Sequence, residues 1–376
     1  MQAYRLGDHG PAVAEIRAKL ATLGLLPAVA AIGDDTFDQA CDRAVREFQQ
    51  ARGVTVDGVV GRETYVALDE ARWRLGDRVL AYTVSHPFVG DDVAELQQRL
   101  LEMGFDCDRV DGIFGSSTEA ALREFQRNAG VVPDGTCGPQ TLKMLDRLVP
   151  RASGGRAEEL RESEQLRRAG PTLAGKLVLI DPGHGGDDPG VVMGDLTEAD
   201  LVADLASKVE GRLSAAGAQA FMTRGPGALS DEERVRLANA AEADLVVSLH
   251  VDADVNPKCQ GVATYFYGTL PLPGQRDRGS VVGARLADLV QREVVARTDL
   301  LDCRTHAKTW ELLRGTRMPA VRVEVGYITN PGDASRLATP EFRDSVAEGI
   351  VAAVQRLYLP ADADVITGAL KIPALD

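Results

Sequence analysis

The chain repeats itself once, and the length of the repeat sets the size of the unit that must fold. Residues 5–72 and 85–148 are two copies of one unit. EIRAKLATLG aligns with ELQQRLLEMG at an offset of 80, and EFQQARGVTVDGVVGRET aligns with EFQRNAGVVPDGTCGPQT at an offset of 77. The first copy therefore carries three extra residues between its helices. In each copy an apolar set recurs at helical spacing, Ile16, Leu20 and Leu23 or Leu96, Leu100 and Met103. A second helix carries Ala44, Val45 and Phe48, or Ala121, Leu122 and Phe125. DG-x-x-G reads as a turn whose threonine, Thr64 or Thr141, caps a third short helix. Two small all-α three-helix modules are expected, at 1–75 and 85–149.

Beyond them the pattern changes. Residues 150–173 mix Pro, Gly and Ser with dense charge, as an exposed linker with a short solvated helix does. From 174 to about 360, apolar runs at 176–181, 218–223, 244–250, 261–267 and 320–325 alternate with amphipathic stretches at 198–216, 231–242, 279–298 and 341–358. Alternation of this kind predicts an α/β domain with a largely parallel sheet flanked by helices, and a site where strands end. Residues 361–376 form a short tail whose only Ser or Thr is Thr367, its natural target for phosphorylation.

A length of 376 residues needs two or three cores, and 44% hydrophobic with 26% charged residues is ordinary globular composition. A net charge of −14 without a basic stripe argues against nucleic acid as a ligand. The N-terminus enters an amphipathic pattern directly, and no apolar run reaches transmembrane length. The five cysteines are scattered, as reduced thiols are. A cytoplasmic location is the expectation.

Three side chains stand where strands or helices begin or end. His184 lies in the glycine-rich turn of LVLIDPGHGGDDPG, Glu198 opens a helix in LTEADL, and His250 closes LVVSLH. Two imidazoles and a carboxylate are a donor set for a hydrolytic zinc ion that keeps one position for water. A fourth residue, Glu324 in AVRVEVGYITN, is an ionisable group at the end of an apolar run, suited to carry a proton. Singly, each has a second reading: a structural turn histidine, a carboxylate at a helix N-terminus, a satisfied core histidine. Asp181 is expected to shape the turn, Asp187 and Asp188 to be solvated, and His9, His86 and His306 to be surface or packing residues. Arg314 and Arg322 are read either as contacts for a peptide carboxylate or as surface ion pairs.

In order, DPGHGG with its trailing DPG, TEADL, VVSLHVDA and ExGYITN resemble the motifs of the zinc-dependent N-acetylmuramoyl-L-alanine amidases of the amidase 3 family, over residues 174–359. The resemblance implies hydrolysis of the amide between the muramoyl lactyl group and L-alanine. It also implies Zn2+ held by His184, Glu198 and His250, with Glu324 as acid/base. Asp252 stands where the family often has Asn. The repeats resemble type 1 peptidoglycan-binding domains. The second keeps Asp111-Gly112-Ile113-Phe114-Gly115, whereas the first reads Asp34-Asp35-Thr36-Phe37-Asp38 and is either a binder or a docking module. As a whole the architecture is similar to the actinobacterial CwlM-type proteins. That similarity implies an alternative: a cytosolic regulator of precursor synthesis, phosphorylated on its tail by a Ser/Thr kinase, that acts on UDP-N-acetylglucosamine enolpyruvyl transferase with little or no hydrolysis. Peptidoglycan fragments or precursors are the expected ligands in either case.

Overall fold

The computed structural model describes residues 2–27, 35–148, 156–224, 227–273 and 276–359, so Thr367 and the tail lie outside the described residues. Two compact units are present. One comprises residues 1–161 with 268–278, the other 162–267 with 279–376.

In the first unit the repeat folds as α1 (Pro11–Thr22), α2 (Gln39–Arg52) and α3 (Arg62–Ala71), then again as α4 (Asp91–Glu102), α5 (Ser116–Ala129) and α6 (Pro139–Arg147). The helical apolar sets face inward. Ile16, Leu20, Phe37 and Phe48 fill one core, and Leu96, Leu100, Phe114 and Phe125 fill its counterpart. Both cores are small, and buried polar groups help to close them. Gln49 directs its amide nitrogen to Asp57 Oδ1 at 2.8 Å, the Val59 carbonyl at 3.1 Å and Thr64 Oγ1 at 3.1 Å, while its Oε1 accepts from Gly58 N at 2.9 Å. Gln126 repeats the arrangement with Asp134, Thr136, Thr141 and Gly135. Gln97 builds it a third time, on Asp111, Ile113, Thr118 and Gly112. Each motif D-G-x-x-G-x-x-T is thus a turn locked by a glutamine from the preceding helix. Its first glycine has φ of +72 to +76°, which side chains with a Cβ rarely adopt.

The threonine does not cap the helix. Gly61 and Gly138 occupy the N-cap positions without side-chain bonds, and the threonine hydroxyls bond back to the turn carbonyls of Val59 and Thr136. Where the first copy lacks its glycines, an ion pair replaces the amide. Buried Arg17 donates to the Thr36 carbonyl at 2.9 Å and pairs with Asp38 at 3.1 Å, and Asp38 caps α2 by accepting from Cys41 N at 2.7 Å. The hub arrangement predicts that Gln126→Leu destabilises its module by about 1–3 kcal/mol, because it leaves the buried Gly135 N–H without its acceptor and removes the amide bonds to Asp134, Thr136 and Thr141. Amide hydrogen exchange at Gly135 is the measurement; unchanged protection there would contradict it.

Residues 268–278 follow the sheet strand β6 (Val262–Tyr267) in sequence yet belong to the first unit. Leu272 is buried in its first core, Leu270 N donates to the Ala51 carbonyl at 2.7 Å, and Arg278 pairs with Asp91 at 2.6 Å. Asp91 also receives Arg52, and the two guanidinium groups outweigh burial to hold its carboxyl below the usual range. α7 (Ala157–Arg168) fully buries none of its side chains, yet Leu166 packs against the large core of the second unit and Glu162 accepts from Ser280 Oγ and Val282 N, both at 3.0 Å.

In the second unit, β1 (Leu177–Pro182), the short β2 (Val192–Met193) and β3 (Leu196–Thr197), and α8 (Glu198–Ala215) come first. β4 (Gln219–Met222), α9 (Asp231–Ala241), β5 (Leu245–Asp252), β6, α10 (Val281–Arg297), β7 (Asp302–Lys308), α11 (Glu311–Gly315), β8 (Ala320–Tyr327), α12 (Pro331–Leu337) and α13 (Pro340–Leu357) follow. Six strands form one sheet in the order β4-β1-β5-β8-β6-β7, parallel throughout except between β6 and β8. The large core, with Ile180, Val247, Val323 and Val325, packs against Leu205 of α8, Val290 of α10 and Ile350 of α13. On the opposite face Leu179, Val246 and Tyr267 meet Ala238 of α9 and Leu313 of α11. Because β1, β5 and β8 run in parallel, their C-terminal ends lie side by side, with His250 opposite Glu324. β7 was not among the expected strands. Its sequence, DCRTHAK, lacks an apolar face, which is typical of a protected edge. Among the described residues no helix is long and apolar enough to cross a membrane.

Candidate metal centre and active site

β1 ends at Pro182 and the chain turns through His184, which has φ of 60°, a left-handed conformation uncommon for a residue with a Cβ. The turn is held from outside. Gly183 N donates to the Leu249 carbonyl at 2.9 Å, and Arg234 donates to the carbonyls of Pro182 and His184, both at 3.0 Å. Only glycine fits at 183, since a Cβ there would lie 2.1 Å from His250 Cε1.

Glu198 is the first residue of α8, whose N-cap Thr197 accepts from Asp200 N at 3.1 Å. Its Oε2 lies 3.1 Å from His184 Nε2, and its Oε1 lies 2.9 Å from His250 Nδ1. Backbone N–H groups of Val191 and Val251 donate to the same carboxylate. One donor atom from each of His184, Glu198 and His250 lies within 4.8 Å of the others, so the structure brings the three sequence candidates together. Burial opposes the charge on Glu198, but bonds to His184 and His250 outweigh it and hold the carboxyl well below the ordinary range. The bond to Glu198 raises the His184 pKa against burial, with Asp188 assisting.

The donors suit a divalent cation. The bond between His184 Nδ1 and Asp188 Oδ2, at 2.7 Å, leaves Nε2 to face the centre. Two imidazoles and one carboxylate, converging from a turn, a helix start and a strand end, form the three-ligand set of hydrolytic zinc sites.

Glu324 is not one of the converging donors but stands beside them, opposite His250 in the register. Its Oε1 accepts from Arg322 Nε at 2.7 Å, while Oε2 is buried without a partner among the described residues. Burial raises its proton affinity, and the nearby Arg322 opposes the shift. A desolvated carboxylate oxygen left free at a site is what a proton carrier requires.

Other expectations divide. Asp181 is buried and accepts from Thr223 Oγ1 at 2.6 Å, Ser248 Oγ at 2.7 Å and Arg234, so it anchors the turn from behind. Asp188 is not merely solvated: besides holding His184, it accepts from Gly190 N at 3.0 Å. Arg322 pairs with Glu324, whereas Arg314 lies on α11. Asp252 accepts from Ala253 N at 2.7 Å. His306 bonds the Cys303 carbonyl and packs on Tyr265. The five cysteines are free. Sequence reasoning missed Arg234, whose partners lie about fifty residues upstream; for Asp188 the four-residue spacing from His184 was a usable signal.

Residues 178–356 match the N-acetylmuramoyl-L-alanine amidase family, and residues 9–68 and 89–145 match a peptidoglycan-binding domain family. The chain is 47% identical to N-acetylmuramoyl-L-alanine amidase CwlM of Mycobacterium tuberculosis, over 99% of its own length and 94% of that protein. It is 31% identical to N-acetylmuramoyl-L-alanine amidase LytC of Bacillus subtilis, over 47% of this chain and 34% of that one. An N-acetylmuramoyl-L-alanine amidase structure from Clostridium difficile aligns with 31% identity over 49% of this chain and 96% of that one, at a TM-score of 0.44. With both domain types matched in order and a relative aligned almost end to end, the chain belongs to the N-acetylmuramoyl-L-alanine amidase family.

Proposed function

We propose that this amidase uses zinc held by His184, Glu198 and His250, with Glu324 as its acid/base, to hydrolyse the lactyl–L-alanine amide of muropeptides or their precursors. The observation that carries the reading is the convergence of two imidazoles and a carboxylate beside a buried carboxylate oxygen that has no partner among the described residues. When bound, zinc supplies Lewis acidity to the attacking water and the scissile carbonyl. The chain's own groups do the rest. Asp188 fixes the His184 tautomer, Arg234 fixes the turn, and Glu324 Oε2 takes the proton from water and returns it to the departing alanine nitrogen. Burial favours protonation of Glu324, which suits the second half of that exchange. The two N-terminal modules are proposed to recruit peptidoglycan fragments.

Elemental analysis together with digestion of purified muropeptides tests the reading. About one zinc per chain and release of peptides with a free L-alanine amino group are expected. A zinc-loaded protein that leaves muropeptides intact would overturn the hydrolytic role, and a chain that takes up no zinc would overturn the metal assignment.

A finer partner reading rests on the likeness of the whole architecture to CwlM-type proteins. In it the chain acts in the cytoplasm, is phosphorylated on Thr367 by a Ser/Thr kinase, and controls UDP-N-acetylglucosamine enolpyruvyl transferase. Co-purification of the transferase that is lost with Thr367→Ala is the expected result; equal recovery with the variant would count against it.

A further inference from the structure

We infer that Arg322, stacked on Trp310, is a specificity-determining residue that receives a free carboxylate of the ligand's peptide beside the scissile amide. The inference rests on the amidase reading above. Arg322 and Glu324 are two residues apart on β8 and so project from the same face of the sheet. Both Arg322 Nε, at 2.7 Å, and Nη2, at 2.6 Å, approach one oxygen, Glu324 Oε1. This is not the fork-to-fork pairing that would engage both carboxylate oxygens: Oε2 is left without a partner, and Nη1 has no hydrogen-bond partner among the described residues. A guanidinium carries five N–H groups in a rigid plane, so capacity for a second carboxylate remains.

Its surroundings are those of a binding position. The Arg322 side chain is 26% exposed, against 6% for Glu324, so a ligand can reach the cation while the acid/base stays desolvated. The Trp310 ring lies 4.6 Å from the guanidinium carbon, which fixes the guanidinium plane without consuming its N–H groups. Tyr265, opposite Arg322 in the β6–β8 register, packs against Trp310 with ring centroids 4.7 Å apart and against His306 at 5.6 Å. In the neighbouring row, Ala263 stands opposite Glu324 and adds only a methyl group. A cation on an aromatic wall thus borders the small Ala263 next to the acid/base. In a muropeptide the residue after L-alanine carries a carboxylate in its acid form and a carboxamide in its amidated form, and Arg322 distinguishes the two.

The test uses the cleaved peptides, which cannot turn over. The full chain contains two tryptophans, so a Trp73→Phe background leaves Trp310 as the reporter. L-alanyl-D-glutamate γ-methylamide is titrated against L-alanyl-D-isoglutamine γ-methylamide, so that the two differ only in a free or amidated α-carboxyl, with emission and calorimetry as readouts. The acid is expected to bind about tenfold or more tighter than the amide and to shift Trp310 emission, since one charge-assisted pair distinguishes them. Arg322→Leu is expected to bring the two within about twofold, whereas Arg322→Lys, which keeps a point charge, retains part of the preference. Equal binding of acid and amide by the parent protein overturns the inference, as does a preference that survives in Arg322→Leu. If muropeptides are cleaved while neither dipeptide binds at millimolar concentration, the inference falls and the amidase reading stands. If muropeptides are neither bound nor cleaved, the amidase reading falls and takes the inference with it.

Discussion

Glu324→Gln is expected to lower the rate of muropeptide hydrolysis by about 10²–10⁴-fold while leaving zinc content unchanged, the usual range for loss of a positioned general acid/base. The two readouts separate because Glu324 is not one of the three converging donors. Glutamine keeps the size of the side chain and, through its carbonyl oxygen, the bond to Arg322, so the strand and its neighbours are preserved. What is lost is the basicity of Oε2, which is buried and has no partner among the described residues. A pH signature follows from the same residue. The proton is accepted by the ionised form, so activity falls as pH drops through the pKa of Glu324. Burial places that pKa above the 4.5 of an ordinary glutamate. In the parent protein burial of Glu324 therefore moves the acid limb of the rate profile to higher pH, and in the variant the Glu324 contribution to that limb is absent. Retention of activity within about fivefold in a zinc-loaded Glu324→Gln protein is incompatible with this role.

The parts of the molecule legible in the sequence are those whose signal is local. β1 and β5 announce themselves as largely apolar runs because they are covered on both faces, β8 shows itself by valines alternating with Arg322 and Glu324, and the repeat is visible because each copy carries the same apolar spacing. His184, Glu198 and His250 could be read together because each sits at the start or end of an element. β7 was hidden, since an edge strand needs no apolar face. Hidden too was the glutamine hub: the turn D-G-x-x-G is plain, but its closure by Gln49, Gln97 or Gln126 depends on a side chain from the helix before it. Thr64 looked like a cap for the same reason, because its carbonyl partner becomes visible only when the turn is folded. Residues 268–278 carry no mark showing that they join the first unit. The polar groups behind the site were hardest of all, because Arg234 meets Asp181 across 53 residues and Arg322 looked equally like a surface cation.

Those hidden groups carry a second large effect. Asp181 is 1% exposed and Arg234 4%, and they form an ion pair inside the domain. A pair of this kind contributes little relative to apolar residues of the same volume, but removing one partner strands the other. Among the described residues Arg234→Leu leaves the Asp181 carboxylate with only the Thr223 and Ser248 hydroxyls, and it deprives the Pro182 and His184 carbonyls of their Arg234 donors. Loss of about 3–5 kcal/mol is expected, a large share of the roughly 5–15 kcal/mol that keeps a domain folded. The effect also reaches the metal donors, because His184 holds its left-handed backbone only while the turn is anchored. Arg234→Lys restores the charge but not the fork that spans Asp181 and two carbonyls, so it is expected to fold while binding zinc about 10–100-fold more weakly. Asp188→Asn provides the contrast: that side chain is 52% exposed and touches only the turn, so zinc affinity should fall in the same range with little change in melting temperature. Thermal melts and chelator competition on the full chain distinguish the two. If Arg234→Lys folds and binds zinc as tightly as the parent, the turn does not need its anchor, and Arg234 serves the core alone.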